Sequence, residues 1–163
     1  MNIKKNTPCL FLRIPAYTRS LDVVGKHVEK FNKENDLWIL KMGKKPDEKY
    51  LKEIIEKDGG LIIKSQSKFN NKYYFCKLES INPLNSINMS YPDYYNEIFD
   101  NMGLNIEDTF NDSIWFNVSS MVEVSDNLIR NFYTAKEKNL YECASHLFQV
   151  SYMYVKPNKD ISI

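Results

Sequence analysis

The sequence predicts an α+β domain: a curved mixed sheet or small β-barrel with helices packed outside. Three observations carry the prediction: strand-like apolar runs near both ends, a hairpin pattern in the middle, and amphipathic helical spacings between them. At 163 residues, with 43% hydrophobic and 26% charged, the chain has the size and composition of one domain, 1–163, with an ordered core over 9–156.

Cys9 to Pro15 is an apolar run edged by prolines and reads as a buried strand. Ser20 then caps a predicted helix whose Leu21, Val24, Val28 and Phe31 fall on one face. Leu37 to Met42 is a second strand, and Gly43 with Pro46-Asp47 turns the chain into a helix buried along Tyr50, Leu51, Ile54 and Ile55. Gly59-Gly60 ends that helix. Leu61 to Lys64 and Tyr73 to Ile81 are expected to pair as a hairpin. Residues 82–111 read as a loop-rich insertion with a short helix from Pro92 through Phe99.

A strand is predicted over Ile114 to Val124, helices over Asp126 to Phe132 and Leu140 to Leu147, and a closing strand over Gln149 to Val155. In the first of these, alternation puts Ile114, Phe116 and Val118 on one side, and Trp115, Asn117 and Ser119 on the other.

Charge is unevenly spread. Seventeen of the twenty-two Lys+Arg residues lie in the first 80 positions, against ten of the twenty-one Asp+Glu, so a chain of net charge +1 divides into a basic and an acidic portion. A basic face of this kind attracts phosphates. The basic candidates are Arg13, Arg19, Lys41, Lys44, Lys45, Lys64, Lys68 and Lys72, set mainly at strand ends and turns. Lysine outnumbers arginine nineteen to three, so a scattered solvated lysine surface is the competing explanation, and bidentate base reading has few residues to draw on.

Trp115 is the first stacking candidate because it shares a strand face with the small polar groups of Asn117 and Ser119, which can read hydrogen-bonding edges. Trp38 is the second, followed by Lys41, Lys44 and Lys45. For both, packing under a helix is the alternative.

The three cysteines, Cys9, Cys76 and Cys143, are far apart in apolar stretches and read as reduced buried thiols of a cytoplasmic protein. The apolar run after Lys4-Lys5 is broken by Arg13, so no signal peptide or membrane span is expected. Cys143 and His146 are spaced i, i+3, but nothing in the sequence completes a metal site, and no metal or cofactor is expected. Phosphate-cradling glycine loops, nucleophile elbows and zinc-deaminase signatures are all missing, and the carboxylates Glu48, Glu53, Glu56 and Asp58 sit among lysines where solvated helix pairing explains them. No catalytic residue is assigned, and a nuclease with dispersed acidic ligands is the remaining enzymatic alternative.

The order of these elements, with the Trp-bearing strand D-L-W-I-L-K-M-G-K-K-P, the hairpin ending K-Y-Y-F-C-K-L-E-S-I and the later D-S-I-W-F-N-V-S-S-M, resembles the PUA-like superfamily, in particular its EVE and YTH branch. That resemblance lies in layout and implies a reader that holds a modified nucleobase in an aromatic pocket. Carried onto this chain it would make Trp38 and Trp115 the pocket walls, with Asn117 and Ser119 as edge readers. The expected function is therefore a non-enzymatic DNA- or RNA-binding domain. The alternative is a protein-interaction or inhibitor factor of a phage or mobile element, using the acidic, aromatic segment 91–116.

Overall fold

Short strands and capped helices follow the sequence closely in the computed structural model, which describes residues 1–14, 21–65, 69, 71–82, 91–105, 113–146 and 152–163, with only the backbone of 82, 145 and 146. The strands are β1 (Asn2–Ile3), β2 (Cys9–Arg13), β3 (Leu37–Met42), β4 (Gly60–Lys64), β5 (Tyr73–Asn82), β6 (Ser113–Val118), β7 (Val122–Val124), β8 (Phe132–Thr134), β9 (Tyr152–Pro157) and β10 (Ile161–Ser162). Five helices are described: α1 (Val23–Glu34), α2 (Glu48–Glu56), α3 (Tyr94–Met102), α4 (Asp126–Ile129) and α5 (Leu140–His146).

An eight-stranded mixed sheet runs in the order β3-β6-β5-β4-β2-β9-β8, with β7 added beside β5, and a separate ribbon pairs β1 with β10. Only β2 and β4 are parallel among the described pairs. The α+β class and mixed sheet hold, but the sheet is an open path among the described strands and does not close into a barrel.

Curvature comes from β5. Its first half pairs with β4, its second with β6, and the register shifts between Leu78 and Ser80. Such an irregularity bends a strand and increases its twist.

Helix caps explain where α1 and α2 begin. The Asp22 carboxylate accepts from the Gly25 backbone N–H at 3.0 Å and Asp47 from the Tyr50 N–H at 2.9 Å, satisfying donors that the first turn leaves open. Asp22 therefore takes the capping role expected of Ser20, which lies outside the described residues. After α2 the chain needs glycine for space, because a Cβ on Gly59 would lie 2.0 Å from the Pro8 carbonyl oxygen. Gly59→Ala is expected to cost about 1–3 kcal/mol as backbone gives way, read as a lowered urea midpoint; an unchanged midpoint would show that this approach is loose.

Apolar side chains fill both faces of the sheet. One core joins Leu10, Leu12, Leu61, Ile63 and Phe116 to α1, α2 and α3; the other joins Phe11, Ile62, Phe75 and Val155 to Ile129, Phe132 and Leu140 beneath α4 and α5. Three sequence assignments change here. The strand predicted to Val124 breaks after Val118 and resumes as β7, the helix predicted to Phe132 stops at Ile129 with Phe132 opening β8, and β10 follows the strand expected to close the chain at Val155. Cys9 and Cys76 are buried free thiols as expected, burial pushing Cys9 up to about 12, whereas Cys143 is only half-buried. No described helix is long and apolar enough to cross a membrane.

Candidate functional site

Register gathers basic residues at one end of the sheet. Arg13 and Lys64 end the parallel strands β2 and β4 as direct partners, Lys64 lies opposite Tyr73 at the start of β5, and Leu12 lies opposite Tyr152 at the start of β9. The Tyr152 hydroxyl donates to the Lys45 carbonyl at 3.1 Å, which ties the turn after β3 to this end on the face of the sheet opposite Arg13, Lys64 and Tyr73. Asp47 reinforces the tie by donating its backbone N–H to the Tyr154 hydroxyl at 2.6 Å. Lys44 and Lys45 are exposed there, while Arg13 and Lys64 are half-buried. Arg19 and Lys68 lie outside the described residues.

Lys41 departs from its expected role. It shares a strand face with the buried Leu37 and Ile39, is 5% exposed, and donates its ammonium to the carbonyls of Met42 and Lys44, the latter at 3.1 Å. Burial lowers its pKa from the ordinary lysine value, and its Nζ lies 5.8 Å from the centre of the Tyr152 ring. This lysine braces the turn that presents Lys44 and Lys45 rather than reaching for a ligand. Lys72 is exposed but already bonded to Glu123 at 2.6 Å, which raises its pKa and neutralises its charge locally.

Trp115 requires the larger correction. Alternation does put it on the face opposite Phe116, yet that face is covered as well, and the indole is 0% exposed. Tyr95 from α3 meets it edge-on at 4.8 Å and Tyr91 stacks on it at 5.7 Å, so the ring is core rather than an open wall. Its Nε1–H has no acceptor among the described residues.

Helix α3 earns this position through α1 and the sheet edge. The Tyr95 hydroxyl accepts the Leu40 backbone N–H at 2.8 Å, covering the free edge of β3. His27 of α1, fully buried, bonds through Nδ1 to the Tyr94 hydroxyl and through Nε2 to that of Tyr95 at 3.4 Å. Burial alone pushes the imidazole down to about 3, so it is neutral. The aromatic residues offered as interface anchors thus largely face inward: Tyr95 and Phe99 are buried, and Tyr91 and Tyr94 are half-buried.

Trp38 remains partly exposed beside its cross-strand partner Asn117. The Asn117 amide donates to Asp36 at 2.6 Å, and the Ser119 hydroxyl donates to Glu79, so both proposed edge readers are already engaged by carboxylates. That neighbourhood is acidic, unlike the sheet end.

Arg130 and Tyr141, absent from the sequence candidates, join the basic end from the α4–α5 side. The Arg130 guanidinium lies 3.9 Å over the Tyr141 ring, and Tyr141 is 6.3 Å from Tyr73. A lone arginine after a four-residue helix gives no sequence signal of such convergence. A hollow of about 570 Å³ lined by Asn6, Tyr133, Thr134, Glu137, Lys156 and Asn158 lies at the opposite end of β9, and none of the predicted residues borders it. Among the described residues no group of three His, Cys, Asp or Glu side chains is placed to hold a metal, and the side chain of His146 lies outside them. Compared with protein-family models, curated proteins and solved structures, the chain has no match.

Proposed function

We propose that this chain is a non-enzymatic nucleic-acid-binding domain that grips phosphates at the basic end of its sheet. One observation carries the reading: Arg13, Lys64 and the Lys44-Lys45 turn, distant in sequence, lie at one end of the sheet, the first two on the face of the buried Tyr73 and the turn on the other face beside the half-buried Tyr152. Cations beside aromatic rings suit a backbone contacted by charge and bases held by stacking. Of the two tryptophans only Trp38 is partly exposed, and it stands apart from these cations, beside Asn117 and Asp36, so a base stacked there would lie along the strand from the phosphates gripped at the basic end. The PUA-like layout read from element order agrees with a reader of this kind and is proposed with it.

Anisotropy titrations against single-stranded and duplex oligonucleotides test the proposal. With three or four phosphate contacts, affinity should fall about 40- to 150-fold for a duplex, and about 20- to 50-fold for a single strand, between 50 and 200 mM salt. Lys44→Ala should weaken all sequences alike and flatten the salt slope by about one unit, whereas Trp38→Ala should act on base-dependent affinity. Salt-insensitive binding, or none to any oligonucleotide, rejects the function.

A further inference from the structure

The hollow at the far end of β9 is lined by unengaged polar side chains of both charges. Its volume of about 570 Å³ falls in the range of small-molecule sites. Among the described residues the side chains of Asn6, Tyr133, Glu137, Lys156 and Asn158 make no hydrogen bond or ion pair. The Lys156 charge acts on Glu53, but that carboxylate is already bonded to Lys57 at 2.6 Å, and the neighbouring Lys4 and Asp160 pair with each other at 3.3 Å. Glu137 and Lys156 thus face one hollow without neutralising each other.

Backbone geometry holds the two poles in place. Asn6 donates its N–H to the Pro157 carbonyl at 2.9 Å, which sets Asn6, Lys156 and Asn158 around the end of β9. Lys156 lies directly opposite Tyr133 of β8, and the turn after β8 carries Glu137. Thr134 locks that turn: its N–H donates to the Lys138 carbonyl, its carbonyl accepts the Glu137 N–H, and its hydroxyl accepts the Lys138 N–H at 3.2 Å. Glu137 sits at φ 58°, in the left-handed region. The other described non-glycine residues there are Asn or Asp, which tolerate it, whereas a glutamate adopts it at a cost. Glycine would suit the turn better, so this carboxylate stands beside the hollow against the local backbone preference.

We propose that this hollow binds a zwitterionic α-amino acid. Glu137 accepts from the ligand's ammonium, Lys156 bonds its carboxylate with the Asn6 and Asn158 amides donating beside it, and the half-buried Tyr133 ring supports its side chain. One charge of each sign, left unpaired in the protein, answers a ligand that carries both. A simple anion would meet the Glu137 carboxylate and a simple cation the Lys156 ammonium, each a repulsion that the zwitterion avoids. The site lies at the opposite end of β9 from Tyr152 and the basic end, so it stands or falls separately from nucleic-acid binding.

Calorimetric titration of the full chain with each of the standard free L-amino acids tests the site, followed by the N-acetyl and amide derivatives of the tightest binder. Each derivative lacks one charge and should bind roughly 10- to 100-fold more weakly, the loss of one charge-assisted bond. Glu137→Gln should weaken the free amino acid by a similar factor yet leave the N-acetyl derivative unchanged, and Lys156→Gln should do the same with respect to the amide derivative. Lys136→Ala, in the same turn but outside the hollow, should alter neither. Glu137→Gly should lose the ammonium contact with a urea midpoint no lower than the parent's, so that the loss is one of binding and not of fold. No binding by any amino acid, equal affinity for the free and capped forms, or a loss in Lys136→Ala matching that in Glu137→Gln overturns the site.

Discussion

Trp115→Ala is expected to destabilise the protein by about 3–5 kcal/mol, the range for emptying a large aromatic from a packed core. The indole is wholly buried between Tyr91 and Tyr95 and lies opposite Leu40 across the strand pair, so no single neighbour can collapse into its space. Small domains hold only about 5–15 kcal/mol in total, and such a loss should shift the urea midpoint far and lower the melting temperature. Trp115→Phe should recover much of it, because the ring is kept and the unpaired Nε1–H is removed. An alanine variant of near-native stability with impaired ligand binding would instead return Trp115 to a pocket wall.

Acidification should weaken the fold through His27. The imidazole is neutral and buried, with its pKa pushed down to about 3, while in the unfolded chain it titrates near 6.5. Between those values the unfolded chain binds a proton that the native state refuses, so stability is complete above about pH 6.5 and declines as pH falls toward 3. The slope approaches about 1.4 kcal/mol per pH unit, or about 2–3 kcal/mol by pH 4.5. The groups facing the ring are the Tyr94 and Tyr95 hydroxyls, and burial is the one resolved cause of the shift, with no offset from a carboxylate. Urea midpoints at pH 7.5 and 5 check this: the difference should shrink in His27→Gln, and an equal difference in parent and variant would assign acid sensitivity elsewhere.

Legibility in the sequence followed the length of the periodic signal. Strand β3 and the β4–β5 hairpin were readable because alternation and β-favouring residues extend over whole elements. Strand β8 was not, because Phe132 continues the helical spacing of Leu128 and Ile129 and only the chain's turn at Asn131 separates them. Two-residue β1 and β10 carry no period at all. The site shows the same limit. Alternation placed Trp115 on the correct side of β6, but which element covers that side depends on α3 and α1, set far away in sequence. The burial of Lys41 was legible, since it repeats the spacing of Leu37 and Ile39; its charge drew attention from its register. Convergence of Arg13, Lys64, Arg130 and Tyr141 depends on tertiary pairing and has no local signature.

Strand β5 belongs to both wings of the bent sheet, holding β4 and β7 along its first half and β6 along its second. Neither wing can detach without breaking hydrogen bonds in the other's backbone. Melting should consequently run as one all-or-none event, and the basic end and the tryptophan-bearing end share a single free energy of opening.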